Sequence, residues 1–258
     1  MMFPTSSINP TQLDAVCLFS GVDHVVRAEA LRSADWTRVD AGRQVFEQGG
    51  SADALYVLAV GRIKVTQGTA AGQEVLLNYV GPNEVFGCVA VCSDDSYPAT
   101  ATAVVDSWSL RWRRQDMAKL VADHPVIALN AVRYLARRLA ETQMRLCELQ
   151  TERVERRIAH NIVRLISQAG RNHPEGIDVD FPVSRQDVAE MAGTTLYTAS
   201  RILSGWQQRG LVELGRQRVT VVDPLAIEEI AEDAAKRASP FGQTYKVARR
   251  SADPLCAG

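Results

Sequence analysis

The sequence predicts an α+β chain in three successive parts: an N-terminal antiparallel β-roll of jelly-roll type, a long dimerisation helix, and a C-terminal winged helix-turn-helix. Three observations predict it. Between Trp36 and Arg113, short apolar alternations of strand length recur between turn-forming residues. From about 125 to 149 the apolar residues fall on a narrow heptad seam. After Ser184, two short helical patterns meet at an Ala-Gly-Thr break and lead into a hairpin.

Composition sets the frame. With 258 residues, 46% hydrophobic and 23% charged, the chain is of ordinary globular make-up and long enough for two domains. It has no apolar run long enough to span a bilayer. Its opening, MMFPTSSINPTQLD, lacks the basic region and apolar core of a secretion signal. Five cysteines (Cys17, Cys88, Cys92, Cys147, Cys256) show no framework spacing. Together these features predict a reduced, cytoplasmic protein with no membrane partner.

Taken in order, residues 13–35 read as helical, with Leu13, Val16, Phe19, Val26 and Leu31 among polar residues. The strands follow as VFEQ, ALYVLAV, RIKVTQG, EVLLNYV, TATAVV and WSLRWR, with turns at GG, AAG, GPN and SDDSYP. In the long helix, Val132, Leu139 and Leu146 occupy heptad position a, and Leu135, Thr142 and Leu149 position d. So narrow a seam suits a partner helix better than a globular core, and these six residues are the predicted dimer interface. The next helix, TERVERRIAHNIVRLISQAG, runs to Gly170, which the pattern places to end it as a C′ residue. The expected divisions are therefore 1–122 for the effector-sensing roll, 123–150 for the dimerisation helix, 151–225 for the winged helix-turn-helix and 226–258 for a short helix and tail.

SRQDVAEMAGTTLYTASRILSGWQQRGLV is the most informative stretch. Ser184 and Asp187 form a capping box with Asp in the usual Glu place. Ala189 and Gly193 supply the small residue and the turn that let two helices cross closely. The second helix offers Thr194, Thr195, Tyr197, Thr198, Ser200 and Arg201, hydrogen-bonding groups near its N-terminus, where such helices meet base edges in the major groove. Arg201 is the first candidate for a bidentate guanine contact. Arg185 opens the first helix. Arg216 and Arg218 belong to the hairpin GLVELGRQRVTVVD, a basic wing suited to phosphates. The predicted partner is double-stranded DNA. No nucleophile–base grouping, metal-ligand spacing or phosphate-binding Gly loop is present, so neither an enzyme nor a metal site is expected.

Order and motifs together resemble the Crp/Fnr superfamily of bacterial transcription regulators. The resemblance runs from about residue 15 to 225 and is carried by QVFEQGGSADALYVLAVGRIKV, LLNYVGPNEVFG, RRQDMAKLVADHPVIALNAVRYLARRLAETQ and the helix-turn-helix stretch. It implies a homodimer on a pseudo-palindromic site, with an effector in the roll shifting DNA affinity. It also implies RNA polymerase as a further partner. The effector would sit at Val85, Phe86, Gly87, Cys88, Val89, Tyr97, Pro98, Ala99 and Thr100. Cyclic-AMP-binding members carry Gly-Glu there and Arg-Ser or Arg-Thr about ten residues later. Here Cys88 follows Gly87, and Pro98-Ala99 stands in the Arg-Ser place. Pro brings neither charge nor N–H, so a cyclic phosphate would be buried unpaired, and cyclic AMP is not the expected effector.

Other departures narrow the cofactor. Cys17 alone cannot supply the N-terminal cysteine set of the iron–sulfur members, so no cluster is expected. Haem remains an alternative on four single histidines (His24, His124, His160, His173), and a thiol sensor remains one on Cys88 and Cys92. A regulatory module that binds an effector without touching DNA is the third alternative. Tyr197 stands where the family commonly has Glu, so the half-site is expected to differ at that base pair, with Tyr197 against a thymine methyl or a phosphate. Lys246, Arg249 and Arg250 in the tail read as an inert end, with added non-specific DNA affinity as the alternative.

Overall fold

Alternation along one strand builds two cores. In β3 (Ala54–Val60), Ala54, Tyr56 and Leu58 enter one buried cluster, while Leu55 and Val57 enter another on the opposite face. A strand covered on both sides must be apolar throughout, as ALYVLAV is. These relations come from a computed structural model that describes residues 13–72, 74–92 and 96–232.

Ahead of β3 lie a 3₁₀ turn at Cys17–Phe19, α1 (His24–Arg32), β1 (Asp35–Val39) and β2 (Gln44–Phe46). The continuous helix expected over 13–35 is thus broken. Gly21 adopts φ +67, and Asp23 restarts the helix by accepting a hydrogen bond from the Val25 amide at 2.8 Å. After β3 come β4 (Ile63–Gly68), β5 (Glu74–Val80), β6 (Val85–Phe86), α2 (Val89–Cys92), β7 (Thr100–Ala103) and β8 (Ser107–Arg113). Their strands form two four-stranded sheets, in the orders β1-β8-β3-β6 and β2-β7-β4-β5. The observed β1–β8 and β3–β8 pairings are antiparallel, with Trp36 opposite Leu110 and Val57 opposite Leu110. The antiparallel roll is therefore as the sequence predicts.

The helical side of the first sheet is closed by α1, α3 (Arg114–Asp123) and the start of α4 (Pro125–Thr151). Trp112, fully buried, donates from Nε1 to the Ala30 carbonyl at 2.7 Å and packs on Phe19. Asn130 donates from Nδ2 to the carbonyls of Leu18 and Ser20, which fixes α4 against the N-terminal turn.

Beyond α4 the order is α5 (Val154–Ala169), β9 (Gly170–His173), β10 (Gly176–Val179), α6 (Arg185–Met191), α7 (Leu196–Gln208), β11 (Val212–Gly215), β12 (Arg218–Val221) and α8 (Pro224–Ala231). A third sheet, β11-β12-β10-β9, backs the helices. Gly170 ends α5, as expected, and close packing requires glycine there. Its φ is −75, not left-handed; a Cβ there would lie 2.3 Å from the Ile166 carbonyl oxygen and 2.8 Å from Ile177. Space, not backbone conformation, requires glycine at this position.

The described residues gather into two compact units, 13–72 with 79–140, and 74–78 with 141–232; α4 runs through both. Among the described residues no helix is long and apolar enough to cross a membrane. The tail residues Lys246, Arg249, Arg250 and Cys256 lie outside the described residues, as do the side chains of Val91 and Cys92.

Candidate nucleic-acid interface and effector pocket

The helix-turn-helix is specified by local chemistry. Ser184 Oγ accepts from the Asp187 amide at 3.1 Å, and Asp187 Oδ2 accepts from the Ser184 amide at 2.8 Å, so Asp completes the capping box. Gly193 takes φ +57 at the turn, with fully buried Ala189 and Ala192 before it. Val188 on α6 and Ala199, Leu203 and Trp206 on α7 are buried. Trp206 donates from Nε1 to Glu155 at 2.9 Å.

The expected reading residues then separate. Thr195 caps α7: its Oγ1 accepts from the Thr198 amide at 3.2 Å and lies 3.0 Å from the Thr198 hydroxyl. Both hydroxyls are thus partly committed to the cap. Tyr197 and Arg201, one turn apart, are exposed, and Thr194 and Ser200 are half-buried beside them. Leu196, which the sequence reading passed over, is 48% exposed and Tyr197 is 76% exposed. Leu196 was missed because it continues the inward period of Ala199, Leu203 and Trp206. At the first turn, however, about half of its surface is left uncovered. Arg185 is exposed at the start of α6.

In the wing, Gln217 adopts φ +55 and the exposed Arg216 stands at the tip. Arg218 is tied back instead, pairing with Asp178 at 2.6 Å. Burial would raise the Asp178 carboxyl, but hydrogen bonds from Thr220 and Arg218 outweigh it and hold the carboxyl below the usual range. Arg216 is therefore the freer of the two cations.

Arg157 links the turn to the end of α4. Its guanidinium donates to the Ala192 carbonyl at 2.8 Å, the Glu152 carbonyl at 2.7 Å and the Gly193 carbonyl at 3.3 Å. A Cβ on Gly193 would lie 2.7 Å from Leu149 Cδ2, so the last seam residue already touches the turn. The other seam residues, Val132, Leu135, Leu139, Thr142 and Leu146, are exposed on the single chain.

A buried charge cluster joins α4 to α5. His160 Nε2 lies 3.2 Å from Glu152 Oε2, and Glu148 pairs with Arg164. Burial lowers the His160 pKa; Glu148 and Glu152 oppose that fall without cancelling it. The sign follows from linkage. A lowered folded pKa means that the unfolded chain binds more protons, so this contribution to stability is full above the ordinary histidine value and is lost as pH falls. Thermal stability of the wild type is expected to fall from about pH 7 to pH 5. His160→Gln should flatten that slope, and an unchanged slope would contradict the assignment. As for the other histidines weighed as haem ligands, His124 sits 3.5 Å from Glu29 and His24 3.3 Å from Asp23.

The expected effector pocket divides between the two cores. Val85 faces the helical side, where its carbonyl accepts from the Tyr134 hydroxyl at 2.8 Å, and Cys88 packs on the same cluster. Phe86, Val89, Tyr97 and Ala99 are buried or half-buried, with Phe86, Val89 and Tyr97 on the roll side. Gly87 needs its φ of +72, and a Cβ would meet the Ala54 oxygen at 3.1 Å. Pro98, read from the sequence as lining the pocket, is exposed, and Thr100 accepts from the Gln48 amide at 3.0 Å. The interior is occupied by rings. Phe46 stacks on Tyr97 with centroids 3.8 Å apart, and Tyr56 stacks on Phe86 at 5.1 Å. The Tyr97 hydroxyl donates to the Ala54 carbonyl at 2.6 Å and accepts from its amide at 3.2 Å. Burial pushes that hydroxyl's pKa upward, consistent with a neutral donor.

Comparison with known proteins accords with this geometry. Residues 36–124 match the cyclic nucleotide-binding domain family, and residues 156–230 match the Crp-like helix-turn-helix domain family. The chain is 33% identical over 190 residues to a cyclic AMP receptor protein of Thermus thermophilus, across 74% of this chain and 85% of that protein. It is 25% identical over 206 residues to a CRP-like cAMP-activated global transcriptional regulator of Mycobacterium tuberculosis, across 80% of this chain and 92% of that protein. Among solved structures, a CRP-family transcriptional regulator from Thermus thermophilus superposes with a TM-score of 0.67 at 26% identity, covering 77% of this chain and 97% of that one.

Proposed function

The chain belongs to the Crp/Fnr superfamily of DNA-binding, effector-modulated transcription regulators, and from that premise we propose that it works in the cytoplasm as a homodimer. Two copies join through Val132, Leu135, Leu139, Thr142, Leu146 and Leu149 and place two α7 helices on an inverted-repeat site. The single observation that carries this reading is the pairing of an exposed α7 face, Tyr197 and Arg201, with an exposed apolar seam on α4. Five of the seam's members are large aliphatic residues between 42% and 62% exposed. A soluble chain does not leave so regular an apolar stripe in water.

In this arrangement Arg201 takes a guanine, Thr194, Thr195, Thr198 and Ser200 contact base edges or the adjacent backbone, and Arg185, Arg216 and Arg218 position phosphates. The sensing part spans 1–122, the dimer helix 123–150, the reading part 151–225 and a terminal segment 226–258. Its chemistry is binding rather than catalysis, and RNA polymerase is the partner through which such a regulator acts on transcription.

Cyclic AMP, which names two of the relatives, is not the effector we assign. Phe46 and Tyr97 stack against each other in the interior of the roll, and Cys88 and exposed Pro98 offer no cation for a cyclic phosphate. A mobility-shift titration tests both halves of the reading. The shift is expected to fall steeply with salt, as phosphate contacts require, and to be unchanged by millimolar cyclic AMP. A salt-independent or absent shift would sink the DNA role, and a shift that tightens with cyclic AMP would sink the effector assignment.

A further inference from the structure

Leu196 and Tyr197 present an apolar edge at the point where α7 would enter the major groove. They are the first two residues of the helix, 48% and 76% exposed; Leu196 stands at the open N-terminal end of the stripe that continues into buried Ala199, Leu203 and Trp206, and Tyr197 lies beside it. Each has a neighbour one turn further on: Ser200 follows Leu196, and the exposed Arg201 follows Tyr197. The hydroxyls best placed to make this turn polar, Thr195 and Thr198, are held against each other in the cap. The leading edge of α7 is therefore aliphatic and aromatic, with a guanidinium about 6 Å behind it along the axis.

The major groove has one apolar feature, the 5-methyl group of thymine; all its other distinguishing groups are hydrogen-bond donors or acceptors. The Leu196 side chain and the Tyr197 ring gain from contact with a thymine methyl and desolvate polar base edges elsewhere, while the Tyr197 hydroxyl at the far end of its ring is left to a phosphate or water. We propose that Leu196 and Tyr197 read thymine methyl groups, and that Arg201 reads a guanine within about two base pairs of them, so that each half-site pairs a thymine with a nearby guanine. This inference rests on α7 being the reading helix, as proposed above. It assigns Leu196 a role that Thr195 and Thr198 would otherwise be expected to fill.

The test uses the full-length protein and the duplex that it enriches from a random library. Each thymine is replaced singly by deoxyuridine, which removes the methyl and leaves every hydrogen bond. One or two positions per half-site are expected to lose about fourfold in affinity, and roughly fifteenfold when both half-sites are changed. Leu196→Ser and Tyr197→Ser should lose affinity on the thymine duplex and show no further loss on the deoxyuridine duplex. Unchanged circular dichroism and thermal unfolding of both variants check that the fold is kept, since Leu196 is half covered. Equal binding of thymine and deoxyuridine duplexes, or variants that lose equally on both, would overturn the methyl reading while leaving sequence-specific binding intact. If no sequence is enriched at all, the reading role of α7 fails and this inference fails with it.

Discussion

Replacing Leu139 by Arg is expected to split the protein into single chains and to lower its affinity for an inverted-repeat duplex by about 10²- to 10⁴-fold. Leu139 sits mid-seam and is 59% exposed on the isolated chain, so the substitution costs the monomer little in packing. In a dimer, the seam residues of one copy face those of the other, and the change would bury two guanidinium groups without carboxylates. Once the chains separate, each half-site is held by one reading helix and the gain from linking two is gone. Light scattering should report the mass of one chain, with unchanged helical circular dichroism. A variant that stays dimeric would show that the seam on α4 is not the interface.

Arg157→Ala is expected to weaken binding to the specific duplex by roughly 10- to 100-fold, with much less effect on non-specific DNA. The guanidinium grips three carbonyls, of Glu152, Ala192 and Gly193, which belong to the end of α4 and the turn before α7. Bonds from a charged donor contribute about 1.5–3 kcal/mol each, and their loss frees the turn and leaves part-buried acceptors unmet. Register against base edges suffers from a small displacement of α7, whereas attraction to phosphates does not. Arg157→Lys keeps the charge but not the fork geometry, and should recover only part of the specific affinity. Unchanged specific binding in Arg157→Ala would remove Arg157 from this role.

Comparing the two units shows which physical signals reach the sequence. The helix-turn-helix was legible because its determinants are local: the Ser184–Asp187 box, buried Ala189 and the φ of Gly193 lie within ten residues. The seam on α4 was legible because a heptad is itself a sequence period. The roll interior was not. Its four rings, Phe46, Tyr56, Phe86 and Tyr97, come from three strands and a loop, and adjacent Val85 and Phe86 enter opposite cores. Apolar character alone does not say which side of a doubly covered strand a residue faces. Pro98-Ala99 drew the sequence reading, yet Tyr97, one residue earlier, holds the interior position. Arg157 was silent for a related reason, since backbone carbonyl acceptors leave no residue-type signature. That Gly170 also serves close packing against Ile166 and Ile177 leaves no mark in the sequence.

Selection of bound duplexes from a random library by the full-length protein addresses the central claim most directly. The account predicts an enriched inverted repeat with half-sites about one helical turn apart, 10–10.5 base pairs centre to centre, bound by two chains. Enrichment of a single unrepeated element bound by one chain, or of no sequence, would contradict it.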